Sequence, residues 1–137
     1  MAIEISQGMQ IYGYGTTGTS GAINSDVFDM TGFEAITILG FTAATNASAW
    51  LKLQMGTASG SLSDATGDVP ATKKTLYLEV NRPTQQFMKA TFKGATTTGA
   101  YRTMMVLLHG ARNRPVTQPA STTGLRVYSP GTGTATG

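Results

Sequence analysis

Apolar and polar residues alternate with a period of two through most of the middle of this chain, the pattern of strands with one face buried and one in water. In AWLKLQM, residues 49–55, Leu51, Leu53 and Met55 alternate with Lys52 and Gln54. In TLYLEV, residues 75–80, Leu76, Leu78 and Val80 share one side, and Tyr77 and Glu79 the other. FMKATFK, residues 87–93, sets Met88, Ala90 and Phe92 against Lys89, Thr91 and Lys93. FEAITILGF, residues 33–41, is rich in the β-branched and aromatic residues that suit a pleated surface. AYRTMMVLLHGAR, residues 100–112, has an apolar centre from Met104 to Leu108 of strand length, between glycine-bearing flanks. It reads as a buried strand. AIEI, MQIY and the stretch around Val27 and Phe28 add shorter strands near the start.

Between these segments stand GYGTTGTSG, AATNAS, GTASGSLSDATGDVP, NRPTQ and GATTTG, whose Gly, Asn, Asp, Ser and Pro are turn and loop chemistry. About seven or eight antiparallel strands so spaced predict an all-β fold, an antiparallel β-sandwich or jelly-roll-like single domain. The expected limits are an N-terminal arm or short edge strands over 1–21, a core over 22–115, and an extended Pro/Gly/Thr-rich arm over 116–137. In that last stretch Pro115, Pro119 and Pro130 offer no backbone donor, which argues against a central strand. Its cluster LRVY, residues 125–128, is the one group there able to dock.

Composition sharpens this picture. At 137 residues one core is comfortable and two would be starved. Only 12% of residues are charged, and Gly, Thr and Ala are abundant, which suits sheet surfaces that pack closely on neighbours. The charges are segregated: residues 1–50 hold four acidic residues and no Lys or Arg, a formal −4, while the remainder holds ten basic and three acidic, a formal +7. Head-to-tail association of unlike halves is one reading, and interleaving of the charges in the fold is the other. No apolar run reaches 18 residues, and the opening MAIEISQGMQIYGYG lacks the basic and apolar regions of a secretory leader. The expectation is a soluble protein made in the cytoplasm, with no membrane partner.

Catalytic chemistry finds little to use. There is no cysteine, so thiol nucleophiles, disulfides and thiolate metal sites are excluded. His109 is the single histidine, and no G-x-S-x-G elbow accompanies it, so it reads as a strand-end or core residue. Asp26 with Asp29, and Asp64 with Asp68 in SDATGD, are the close carboxylates. The second pair has oxygens for a calcium ion but lacks the EF-hand pattern, and turn capping is its expected use. GYGTTGTSG lacks the Lys-Ser/Thr of a phosphate loop. No cofactor, metal or enzymatic activity is expected. Lys89, Lys93, Arg112 and Arg114 fit a nucleic-acid surface less well than an acidic protein surface, given a net charge of only +3 and no RNP-like motif. Trp50, with strand residues on both sides, is expected in the core.

Over residues 30–115 the chain resembles the small head proteins of tailed bacteriophages, the group that includes capsid cement and decoration proteins. The likeness lies in the succession LKLQMGTASGSLSDATGD, LYLEVNRPTQQFMKATFKG and TTTGAYRTMMVLLHGARNRP. Its marks are an L-x-L-Q strand end, a G-x-A loop with an S-D-A turn, an L-Y-L-x-V-x-R-P strand end and a closing A-R-x-x-P. Arg82 and Pro83 match the R-P corner, and Arg112 and Pro115 the closing motif. The resemblance implies a β-sandwich or jelly roll, often trimeric, that sits over capsomer junctions and stabilises the shell. The tail beyond Pro115 is longer than that pattern.

The resulting expectation is a non-enzymatic virion protein on the capsid surface, binding major capsid subunits and copies of itself, as a trimer. Its docking residues would be Ile3, Ile5, Ile11, Tyr12 and Tyr14 in the first arm, Arg82, Arg112 and Arg114 around the core, and Leu125, Arg126, Val127 and Tyr128 in the last arm. The alternatives are another virion part, such as a head-fibre or tail attachment protein, or a nucleic-acid- or glycan-binding β-sandwich in which Trp50 stacks on sugar.

Overall fold

The computed structural model describes residues 8–16, 22–65, 67–93, 102–112 and 116–123. Among these run ten strands: β1 Gln10–Thr16, β2 Ala22–Asn24, β3 Phe28–Asp29, β4 Ala35–Thr42, β5 Asn46–Ala58, β6 Ser61–Asp64, β7 Val69–Ala71, β8 Thr75–Asn81, β9 Phe87–Lys93 and β10 Arg102–His109. They form two antiparallel sheets packed as a β-sandwich. The first sheet has the order β1-β10-β4-β8. The second has β2-β9-β5-β6, with β3 also paired to β9 and β7 to β5.

The two extra strands are continuations. β2 and β3 run along the same edge of β9, Ala22 opposite Lys93 and Phe28 opposite Met88. Between them Ser25 keeps the ladder closed: its amide donates to Ala90 O at 2.9 Å, and its hydroxyl oxygen accepts from Ala90 N at 2.8 Å. The hydroxyl thus stands in for a backbone carbonyl where the strand kinks. β6 and β7 likewise share the other edge, along β5.

The alternation read from the sequence is the alternation found. Leu51 and Leu53 of β5, Met88, Ala90 and Phe92 of β9, and Leu76 and Leu78 of β8 all enter the core, with Ile36, Ile38, Met104, Val106 and Leu108 from the first sheet. At Gly40 the Phe92 ring of the second sheet lies against the bare backbone of β4. Strands from the acidic first fifty residues interleave with strands from the basic remainder in both sheets, so the charge segregation along the chain is dissolved in the fold.

Two stretches read as loops belong to strands. GYGT, residues 13–16, continues β1, and the glycine- and serine-rich 56–71 segment contains β6 and β7. Residues 116–123, expected as part of an extended arm, lie along the outer edge of β1. Gln118 donates from Nε2 to Met9 O at 2.5 Å and accepts from Ile11 N at 3.0 Å, and the Thr122 hydroxyl donates to Ile11 O at 2.6 Å. Side chains thus satisfy an edge that would otherwise be open.

Candidate functional site

The inward residues of the first sheet account for the core; its outward residues form the most distinctive surface. Register places them in a row of His109, Ala35 and Asn81, which misses β1, and in three rows that cross all four strands. Ile11, Leu107, Thr37 and Glu79 form one, Gly13, Met105, Leu39 and Tyr77 the next, and Gly15, Thr103, Phe41 and Thr75 the third. Six of these twelve positions carry large apolar or aromatic side chains. Ile11, Leu107, Met105 and Leu39 are half-buried, Phe41 is 39% exposed and Tyr77 70%. Glu79 is the one carboxylate among them, and it stands on the edge strand β8. Four strands about 4.8 Å apart and seven residues rising about 3.4 Å each give this face a footprint of roughly 450 Å². About half of that footprint is apolar, since Thr37, Thr75, Thr103, Glu79 and two glycines stand among the six large apolar side chains.

The outward face of the second sheet is different in kind. It presents Trp50, Lys52 and Gln54 from β5 and Lys89, Thr91 and Lys93 from β9, with Trp50 opposite Lys93 and Lys52 opposite Thr91. Trp50 is therefore not a core residue, because Ala49 and Leu51 take the inward positions on either side of it. Its ring is half-buried under two ammonium groups, Lys52 Nζ at 4.6 Å and Lys93 Nζ at 5.7 Å from the ring centroid. These are cation–π contacts, one from the same strand and one from its neighbour β9.

Lys52 also organises the SDATGD loop. It makes ion pairs with Asp64 at 3.0 Å and Asp68 at 3.2 Å, while Gln54 Nε2 donates to Asp64 at 3.2 Å. The hydrogen bond from Lys52, then that from Gln54, holds the Asp64 carboxyl below the usual carboxylate value. Both carboxylates are ion-paired to Lys52, which ties the start of β7 and the end of β6 to β5.

Tyr12 and Tyr14, expected on a docking arm, face inward from β1 and join the two sheets. The Tyr12 ring lies 4.7 Å from that of Phe28, tilted by 57°. Tyr14 donates its hydroxyl to Asp26 Oδ2 at 2.8 Å and accepts from Asp26 N at 3.3 Å. Burial first, then the Asp26 carboxylate, pushes the Tyr14 phenol up to about 12, and the same causes raise Tyr12. Asp29 is held low chiefly by the Thr31 amide, which donates to it at 2.9 Å, and it also takes Gln86. The Asp26 and Asp29 carboxylates are thus committed to structural hydrogen bonds.

Arg82 and Arg112 arrive at the same end of the sandwich through their backbones. The Arg82 amide donates to Glu34 O at 2.7 Å, from a left-handed conformation with φ 54°, and the Arg112 amide donates to Gly32 O at 2.8 Å. Both side chains are exposed. His109 ends β10, with Nε2 2.9 Å from the Thr37 hydroxyl. Ile3, Ile5, Arg114, Leu125, Arg126, Val127 and Tyr128 lie outside the described residues.

Two features escaped the sequence reading. Arg102 is only 2% exposed, its guanidinium carbon 6.0 Å from the Phe92 ring centroid, and desolvation lowers its pKa. Its parity with Met104, Val106 and Leu108 was the available signal. The outward apolar rows were the other, since they exist only once β1, β10, β4 and β8 are side by side.

No family model matches the chain, and no curated protein matches it. Among solved structures, a chain from work describing Bacillus endospore appendages as a novel family of disulfide-linked pili is similar at TM-score 0.44 and 12% identity, covering 80% of this chain and 96% of that one. At that score the likeness carries no argument about function.

Proposed function

We propose that this chain is a non-enzymatic structural protein of a virion, of the capsid cement type, which associates with itself through its β core and attaches to major capsid subunits. The observation that carries the reading is the apolar outward face of the first sheet, a surface suited to being covered by protein. The sequence resemblance supplies the assignment to a phage shell.

We read the connectivity as a jelly roll. Counting β2 with β3 and β6 with β7 as single interrupted strands leaves eight, paired first with eighth, second with seventh, third with sixth and fourth with fifth. That is one long hairpin folded over on itself, as two Greek keys produce. Attachment to the shell falls to the arms, with Ile3, Ile5, Leu125, Arg126, Val127 and Tyr128 as its side chains and Arg82, Arg112 and Arg114 as polar support.

The test is co-sedimentation of the purified chain with shells assembled from the major capsid protein alone. Saturable binding that raises the shell's resistance to heat or denaturant is expected. No binding at roughly 50 μM, a concentration that fills most of a micromolar site, overturns the cement reading. Binding to isolated tails or fibres instead moves the protein to another part of the virion.

A further inference from the structure

We infer that the outward face of the first sheet seats a second copy of this chain, packed face to face about a two-fold axis that lies between the sheets and runs along the strands. This rests on the reading that the face is covered by protein, and it adds what covers it.

The relief of the surface selects this arrangement. The middle row runs Gly13, Met105, Leu39, Tyr77 from one edge strand to the other. At one end Tyr77 stands 70% exposed. At the other, Gly13 has no side chain, and nothing lies within 4 Å of where its Cβ would be. Gly15, in the next row of β1, likewise carries no side chain. An axis along the strands lays β8 of one copy over β1 of the other, so each Tyr77 enters the partner's hollow while Leu39 and Met105 meet at the centre. An axis along the rows would stack Tyr77 on Tyr77 and leave Gly13 facing Gly13, a collision at one edge and a void at the other. Glu79, on the same edge strand, comes over the partner's Ile11 at the border of the pair.

Size sets the strength. Two footprints of roughly 450 Å² total about 900 Å², below the 1,200–2,000 Å² of stable complexes, so the pair is a reversible dimer. An isologous pairing closes at two, so this face yields dimers and not the three-fold assembly expected from the resemblance.

Sedimentation velocity of the full chain from about 5 to about 200 μM tests this. The expected result is a shift from the 14.3 kDa monomer toward twice that mass. Gly13→Phe fills the hollow at a site with open space, so circular dichroism should be unchanged while self-association weakens at least tenfold. Tyr77→Ser, at an exposed position, should weaken it similarly. Combining Tyr77→Gly with Gly13→Tyr in one chain exchanges projection and hollow, and dimerisation should return to within a few fold of wild type. A wild-type chain that stays monomeric throughout, a Gly13→Phe chain that dimerises normally, or an exchanged chain as weak as Gly13→Phe overturns the inference. The two readings separate cleanly. A dimer that ignores shells defeats the cement reading alone, and shell binding by a strictly monomeric chain defeats this one alone.

Discussion

Replacing Gly40 with alanine tests how tightly the two sheets are pressed together. Gly40 is buried on the inward side of β4, and a Cβ there would stand 2.9 Å from Phe92 Cε2, 3.3 Å from Cδ2 and 3.6 Å from Cζ. The ring is fully buried and has the Arg102 guanidinium beside it, so it has little room to retreat. Overpacking a well-filled core costs about 1–3 kcal/mol. Removing a glycine restricts the unfolded chain and returns about 0.4–1 kcal/mol. The net expectation for Gly40→Ala is a loss of about 1–2 kcal/mol, or roughly 3–10 °C in Tm for a domain of this size. Urea unfolding followed by circular dichroism and Trp50 fluorescence gives the first number, and a thermal scan the second. The control is Phe92→Leu, alone and in combination. With the ring edge gone, the alanine penalty should shrink by about 1 kcal/mol, the coupling expected of residues in contact. A Gly40→Ala chain as stable as wild type, or a penalty unchanged in the Phe92→Leu background, would refute the account of the interface.

Three further outcomes follow from the geometry. The Asp64 carboxyl is held low in the folded chain, so its contribution to stability is present above the ordinary carboxylate pKa and is lost as pH falls through the folded value, in the acid limb below about pH 4. In Lys52→Met the Asp64 midpoint, read by carboxyl-carbon NMR titration, should move back up toward the ordinary value. The Tyr14 phenol is raised, so its contribution is complete below its ordinary value of 10.0 and is lost as pH rises through about 12. Absorbance titration should show a tyrosine ionising near that upper value, and Tyr14→Phe should remove it. Gln118→Ala deletes a donor and an acceptor bridging Met9 and Ile11 on the β1 edge. Hydrogen exchange at the Ile11 amide should speed up about tenfold, the roughly 1.4 kcal/mol of a modest hydrogen bond.

Period-two alternation made β5, β8 and β9 legible, including which side of each is buried, because burial on one face is what produces the alternation. β6 and β7 were not legible. Ser61, Leu62, Ser63 and Asp64 carry no apolar stripe, and they are strand only because β5 offers them a ladder. Residues 13–16 were hidden for a similar reason: Gly13 and Gly15 look like turn residues, yet β10 fixes them in register opposite Met105 and Thr103. Trp50 and Arg102 show residue type misleading where parity would have served. The larger residue of the pair faces out because Ala49 and Leu51 face in, and the charged one faces in because Met104 and Val106 do. The candidate face lay beyond reach for a different reason. Leu39, Met105 and Leu107 are visible in the sequence as apolar, but which strands stand beside them is a property of topology.

The contrast between the two outward faces bears on what this molecule is for. Both are built on the same alternation, yet one carries Trp50, Lys52, Gln54, Lys89, Thr91 and Lys93, and the other Ile11, Leu39, Phe41, Tyr77, Met105 and Leu107. A sandwich that worked alone in water would gain solubility from polar residues on both. If about half of the roughly 900 Å² in a face-to-face pair is apolar, its burial is worth about 11 kcal/mol at 25 cal/mol per Å². Association costs about 4–15 kcal/mol in lost translation and rotation. A cost near the lower end of that range leaves about 5–6 kcal/mol, a dissociation constant on the order of 100 μM, so self-association is weak and readily reversed at low concentration. Were copies held close together on a shell, as proposed above, their effective concentration would rise and the same face could become fully covered. The polar second sheet would then be the surface left to water.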